Sequence, residues 1–339
     1  MATRPRTCST GNQAAPALVQ VIPSGPPRLS SREAPPTTRS RAVGTAGLPR
    51  PRLAIVTGRS AILAGLLCLG AALAACSPVD LLNATVPEDG YSVTTDIAYG
   101  DGARRRLDVY RPATAGEPAP VVVFFYGGSW RNGDRGDYRF VAQALVSEGL
   151  VAVLPDYRVY PEVVFPGFLE DGAAAIRWVR DSIAGYGGDP ERIFLIGHSA
   201  GAYNAAMLAV DPRYLSAVGV DREAIAGFVG LAGPYDFLPL DTRITRRVFG
   251  GAADLSATQP VTFADSNAPP MLLLAGENDG TVYPRNSVSL SETTEERGGN
   301  AEVRLYPDLG HIGIVLALAD GQRHRAPVLD DVAAFIGAH

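Results

Sequence analysis

The chain has 339 residues, 46% hydrophobic and 19% charged, with a formal net charge of −5, a composition that provides for a large apolar core and excludes a wholly disordered or fibrous chain. The average hides a boundary: residues 1–59 carry nine arginines and one acid, Glu33, whereas from Cys76 onward 21 arginines face 34 acids. An acidic body of that kind excludes nucleic acid and anionic polymers as partners.

Residues 1–59 are rich in Pro, Ser, Thr and Ala without apolar periodicity and are expected to form a disordered basic leader. The next stretch, 60–79, is uncharged, with an apolar run at 61–75 preceded by Arg50, Arg52 and Arg59, the layout of an export signal. It closes on Leu73-Ala74-Ala75-Cys76, which resembles the bacterial lipobox, whose cysteine is lipidated and becomes the mature N-terminus. The alternatives are a plain signal peptide or a membrane anchor, although the run falls short of the roughly 18 apolar residues that a span needs. The expected layout is therefore a leader over 1–59, a signal h-region over 60–75, a tether over 76–90 and one domain over 91–339, in an exported cell-envelope lipoprotein of the periplasm or outer membrane. No methionine lies between Met1 and Met207, so translation from a non-Met codon near Leu53 or Val56 would remove residues 1–50 altogether. Cys8 and Cys68 leave with the leader, and Cys76 alone remains, which excludes a disulfide. The sequon at Asn83-Ala84-Thr85 is read as a chance match.

Beyond the tether, alternating patterns at 91–99 and 105–110 with Asp101-Gly102 between them predict an antiparallel hairpin at a sheet edge. The unbroken apolar run at 121–125 predicts a strand covered on both faces. After it, an amphipathic segment at 138–147, a buried strand at 151–154, a long helix at 168–183, a strand at 193–196 and a helix at 202–210 follow in turn. Strands at 226–232, 270–275 and 302–306 and a closing helix at 326–336 complete the pattern. Such alternation predicts a mostly parallel twisted sheet with helices on both faces. Residues 233–269 have no clean period, and a long irregular segment in a compact domain is expected to act as a cap or pocket wall, with a structural excursion as the alternative.

The chemistry centres on Gly197-His198-Ser199-Ala200-Gly201, a GxSxG between the apolar strand at 193–196 and the helix-prone 202–210. A strand turning into a helix with serine at the apex is a nucleophile elbow, and the glycines are expected where a side chain would strike the neighbouring strand or helix. Serine needs a base, and the base needs an acid to hold its tautomer. Of four histidines, His198 adjoins the serine and is expected to point elsewhere, His324 sits in a polar loop and His339 is terminal, which leaves His311 after the strand at 302–306. In the chain order Ser, Asp, His the acid follows the strand at 270–275. Asp279 is the best-placed carboxylate, Glu277 is its rival, and Asp308 is too near His311 in sequence. An oxyanion hole is expected from the amides of Ala200, Gly127 and Gly128, the glycine pair ending the strand at 121–125; a simple glycine turn is the alternative. Trp130 and Tyr203 are candidate substrate-pocket residues, Trp130 either walling the pocket or packing the loop. No metal motif and no phosphate loop competes, and no cofactor is expected.

Tyr126-Gly127-Gly128-Ser129-Trp130, Asp156-Tyr157-Arg158 with Pro161, Phe165-Pro166, Asp171, the run from Tyr186 through Gly187-Gly188-Asp189-Pro190-Glu191-Arg192 to Ile193, and the GHSAG that follows together resemble the α/β-hydrolase esterases of the branch containing hormone-sensitive-lipase-like and feruloyl-esterase-like carboxylesterases, kynurenine formamidases and prenylcysteine methylesterases. The resemblance covers more than half of the chain beyond Cys76. It implies an α/β-hydrolase fold and a serine carboxylesterase working through an acyl-enzyme on a small-molecule ester, with an amidase or arylformamidase using the same triad as the alternative within the class. A non-catalytic surface-binding lipoprotein is the alternative outside it. The resemblance and their positions at element ends also imply that Asp156, Arg158 and Asp171 form structural ion pairs. One departure stands out: Tyr126 occupies the position of a family histidine that stabilises the loop.

Overall fold

The computed structural model describes residues 82–114 and 118–339. The leader, the signal segment and Cys76 lie outside the described residues. The end of the expected tether is already fixed to the body: the Asn83 side-chain amide donates to the carbonyls of Gly136 and Asp137 and its oxygen accepts from the Phe140 amide. Those bonds occupy the amide that the sequon would offer.

Among the described residues, eight strands form one sheet in the order β1-β2-β4-β3-β5-β6-β7-β8. Strands β1 (Tyr91–Ala98) and β2 (Arg106–Pro112) are the edge hairpin and pair antiparallel. From β3 (Ala119–Phe125) through β4 (Val151–Pro155), β5 (Gly188–His198), β6 (Ile225–Leu231) and β7 (Met271–Gly276) to β8 (Ala301–Tyr306) the neighbours run parallel, and only β2 meets β4 antiparallel. The central runs are apolar throughout because helices cover both faces: Val121 to Phe125 and Ile193 to Ile196 are essentially inaccessible to solvent. Residues of unlike character still join the ladder. β5 starts at Gly188, paired with Ala119, well before the apolar core of the strand announces it.

The parallel strands are joined through helices, among them Arg139–Ser147, Gly167–Ser182 and Ala200–Val210, and helix Val328–Ala338 follows the last strand. Helix Arg285–Glu296 has no counterpart in the sequence pattern. It buries Asn286, Ser287, Leu290, Ser291 and Thr294, so its inner face has helical spacing but is built largely of small polar residues that hydrophobic periodicity cannot register. Ser291 and Thr294 satisfy their hydroxyls on the carbonyls of Ala301 and Leu290, which lets the polar face sit inside. The segment 233–269 likewise contains ordered helix, at Arg243–Phe249 and Pro260–Phe263. The first is capped by the Thr242 hydroxyl on the Thr245 amide, and it inserts the fully buried Phe249 under the site.

Candidate active site

Ser199 stands between β5 and helix Ala200–Val210 with φ 56° and ψ −122°, a left-handed conformation in which a non-glycine residue is strained. The surroundings hold it there. The Ser199 amide donates to Leu231 of β6, and the two flanking glycines allow the strand and the helix to touch. A Cβ on Gly197 would lie 2.3 Å from the Gly201 carbonyl oxygen, and one on Gly201 would lie 2.0 Å from that of Phe125. The turn therefore has room for hydrogen atoms only at both positions.

β7 and β8 supply the partners. Beyond β7 the chain packs backbone to backbone on the segment following β8: a Cβ on Gly276 would meet the Leu309 carbonyl oxygen at 2.1 Å, and the Asn278 amide donates to that same oxygen. That contact places Asp279 beside His311, the first residue of helix His311–Leu316. His311 Nδ1 lies 2.8 Å from Asp279 Oδ2, and His311 Nε2 lies 2.9 Å from Ser199 Oγ. Asp279 is 2% exposed, and its other oxygen accepts from the amides of Thr281 and Val282 at 2.8 Å each. Burial alone would raise its carboxyl, but the hydrogen bond from His311 and these two amides outweigh burial and hold it below the ordinary carboxylate range. An ionised carboxylate only accepts, so His311 carries its proton on Nδ1 and presents the Nε2 lone pair to the serine hydroxyl. Such a hydroxyl can lose its proton to the ring as it attacks. The rival carboxylates stay away: Glu277 and Asp308 are both exposed.

The loop from Tyr126 to Gly133 faces the serine from β3. A Cβ on Gly127 would come within 3.1 Å of Ser199 Cβ and of His198, and Gly128, at φ 133°, would place one 2.1 Å from the Asn132 carbonyl oxygen. The Gly128 carbonyl accepts from Arg131 and Asn132, and Ser129 and Trp130 also have positive φ, 54° and 53°. The loop is thus wound tightly, with Gly127 packed against Ser199, and Ala200 heads the helix that follows the serine, where its N–H has no partner within the helix.

A cavity of about 270 Å³ opens over Ser199 and Ala200, lined also by Ser129, Trp130 and Phe237. Leu238, Asp241 and Ile244 of the segment 233–269 and Val282, Tyr283 and Arg285 complete the wall; the last three had no motif to mark them. Trp130 does both things that were open for it. It lines the cavity and packs the loop, edge-on to Tyr203 and Phe249 at 5.2 and 4.8 Å, with its Nε1–H donating to Asn204 Oδ1. Tyr203 is a correction: it is fully buried behind Trp130 and donates its hydroxyl to the Thr258 carbonyl, so it supports the wall without forming it. The other side of the Gly127-Gly128 loop borders a second cavity, of about 500 Å³, with His198, Phe140 and Ile312.

Tyr126 fills the place of the expected histidine with a hydrogen-bond relay. Its buried hydroxyl donates to Asp156 Oδ1 at 3.0 Å and accepts from Arg104 Nη1 at 3.1 Å, while Arg104 Nη2 donates to the Gly133 carbonyl at the far end of the loop. Asp156 is also held by the Arg135 amide and guanidinium, and Arg158 and Arg105 both clasp the inaccessible Asp171. None of these charges lines the cavity over Ser199.

A strained serine above a parallel sheet, bonded to a histidine that a buried aspartate orients, defines the α/β-hydrolase class. Within that class the chain belongs to the BD-FAE family of α/β-hydrolase esterases, whose model matches residues 107–294. It is similar to esterase LipQ of Mycobacterium tuberculosis, 31% identical over 72% of this chain and 62% of that one, and to a probable isoprenylcysteine alpha-carbonyl methylesterase, ICMEL1, of Arabidopsis thaliana, 30% identical over 66% and 52%. The chain thus spans between half and two thirds of the length of these relatives. Among solved structures the fold is similar to that of esterase B from Lactobacillus rhamnosis in complex with a C6-C4 inhibitor, with a TM-score of 0.68 and 23% identity over 82% of this chain and 96% of that one. It is also similar to that of Thermogutta terrifontis esterase 2 with propionate bound, with a TM-score of 0.61 and 24% identity over 74% and 96%.

Proposed function

We propose that this protein is a carboxylesterase that cleaves small esters through an acyl-enzyme, with Ser199 as nucleophile, His311 as general base and acid, and Asp279 as the group that orients it. The observation that carries the reading is the continuous pair of hydrogen bonds from Asp279 through His311 to Ser199, 2.8 and 2.9 Å long. In the first half-reaction Ser199 Oγ bonds to the ester carbon as its proton passes to His311 Nε2, and the developing oxyanion lies against the amides of Ala200, Gly127 and Gly128. Collapse breaks the bond to the alcohol oxygen, which takes the proton from Nε2 and departs. Water then adds to the acyl carbon, gives a proton to Nε2, and the carboxylic acid leaves as the proton returns to Ser199 Oγ. The cavity of about 270 Å³ closed by Trp130 suits a short group, in keeping with the propionate that Thermogutta terrifontis esterase 2 carries.

Hydrolysis of short-chain aryl esters by wild type and Ser199→Ala tests the mechanism, with labelling by a fluorophosphonate as a second readout. Activity or labelling that survives the substitution would overturn it. Rates on an ester and an amide of identical acyl and leaving groups distinguish esterase from amidase. We also propose that the mature protein is an exported lipoprotein anchored in the bacterial cell envelope through Cys76, on the strength of Leu73-Ala74-Ala75-Cys76. Intact-mass analysis of wild type and Cys76→Ser from membranes tests it, and an unmodified wild-type Cys76 would refute it.

A further inference from the structure

His198 is the last residue of β5, directly before Ser199, and its ring packs beside Gly127. It is 2% exposed, and its ring lies 5.0 Å from that of His311, centroid to centroid. His198 Nε2 is 3.0 Å from the backbone carbonyl oxygen of His311. A carbonyl only accepts, so the Nε2 proton belongs to His198, and Nδ1 is left as a bare acceptor with no partner in its buried surroundings. Burial, with the neighbouring His311, pushes the His198 pKa down to about 3, so the ring is neutral and keeps this tautomer at working pH.

The consequence lies in what holds His311 at each stage of the reaction proposed above, on which this inference rests. In the free enzyme three side chains bond to His311: Asp279 at Nδ1, Ser199 Oγ at Nε2, and His198 at the main-chain carbonyl. Acylation removes the second, because Ser199 Oγ then carries the acyl group and has no proton to share. Asp279 alone fixes one ring atom and leaves the imidazole free to pivot about it. The bond from His198 is made to the backbone, is untouched by acylation, and starts from the residue covalently joined to the nucleophile. We propose that His198 is a positioning residue for deacylation: it holds the base-bearing turn against the nucleophile strand while the serine is acylated, so that Nε2 stays where the incoming water must deliver its proton.

The roles of the two half-reactions make the test. In deacylation the water O–H breaks as Nε2 takes the proton, the water oxygen bonds to the acyl carbon, and the bond from that carbon to Ser199 Oγ then breaks as Oγ recovers the proton. Misplacing Nε2 slows this step more than acylation, where Ser199 itself still anchors the ring. The variants are His198→Phe, which keeps bulk and burial but loses the donor, and His198→Gln, whose side-chain amide can reach the same carbonyl. With p-nitrophenyl butyrate as the probe, stopped-flow release of p-nitrophenol and intact-mass detection of the butyryl adduct report the two steps separately. We expect the deacylation rate constant of His198→Phe to fall about tenfold or more, the adduct to accumulate with a pre-steady-state burst, the acylation rate constant to change much less, and His198→Gln to recover most of the loss. A uniform fall of both rate constants, an unaffected partition, or a Gln variant no better than Phe overturns the proposal. Should the Phe variant fail to fold, the Gln variant against His198→Leu gives the same comparison. A wild-type enzyme that forms a Ser199 adduct but partitions like the variants refutes only this inference, whereas a wild type that forms no adduct at Ser199 refutes the acyl-enzyme reading itself.

Discussion

Replacing Tyr126 with Phe removes one oxygen atom from a site with no solvent to replace it. The hydroxyl is buried between a carboxylate and a guanidinium, 3.0 Å from Asp156 and 3.1 Å from Arg104. Asp156 is 2% exposed and would keep its bonds from Arg135, losing one charge-assisted bond worth about 2 kcal/mol. Arg104 keeps the carbonyls of Tyr157 and Gly133 and is reached by water, so its loss is smaller, about 1 kcal/mol. The sum, about 3 kcal/mol, should lower the urea midpoint at unchanged slope. A domain of this size should then melt roughly 6 to 12 °C earlier. The effect should also reach the chemistry, because the relay ties both ends of the loop carrying Gly127 and Gly128. We expect kcat to fall about tenfold with KM little changed, a fraction of what losing a whole oxyanion donor costs. Paired urea titration and steady-state kinetics of wild type and Tyr126→Phe are the assay. A variant as stable and as active as wild type would refute the argument that the relay secures the loop, and one that loses stability with no change in kcat would refute its link to the proposed oxyanion hole.

Asp279→Asn should fold and lose about 10⁴ in kcat, since an amide can leave His311 in the wrong tautomer; circular dichroism with a kinetic assay checks both halves. The same residue gives a pH signature. Because the folded-state carboxyl titrates below its ordinary value of 3.8, its stabilisation is complete above that value and is lost as pH falls through the lower folded one. The stability gap between wild type and Asp279→Asn should therefore hold nearly constant from about pH 6 to about pH 5 and shrink as denaturation is repeated from about pH 4 down toward pH 2, and a gap that stays constant below pH 4 would contradict it. Gly201→Ala puts a methyl group 2.0 Å from the Phe125 carbonyl oxygen, with backbone that cannot yield, and should cost at least about 3 kcal/mol in chemical denaturation. Trp130→Ala should destabilise by about 3 to 5 kcal/mol while moving the preferred acyl length upward in a p-nitrophenyl ester series, because the ring both fills the core and closes the cavity.

Several features of the site could be read from the chain because they have local causes. The elbow needs two glycines at fixed spacing, the parallel strands need unbroken apolar runs, and Asp279 and His311 sit at strand ends whose order the fold dictates. The helix at 285–296 is not legible in the sequence because Ser287, Ser291 and Thr294 help form its inner face, and polar residues carry no hydrophobic period. Tyr203, a candidate pocket residue, lies one helical turn past Ser199 and is fully buried in the body, where Trp130 covers it. For His198 the expectation from its place beside Ser199 is half correct. Its ring does not bond the serine, but it meets the carbonyl of His311, 113 residues away in sequence. Contacts made to a main-chain atom leave no trace in residue types: any residue at 311 offers the same carbonyl, so nothing in the sequence marks it as the acceptor. The same holds for the Leu309 carbonyl that seats Gly276 and for the Phe125 carbonyl against Gly201. Motifs name the groups that react, and the backbone contacts that fix the distances between them emerge only when β5, β7 and β8 are brought together.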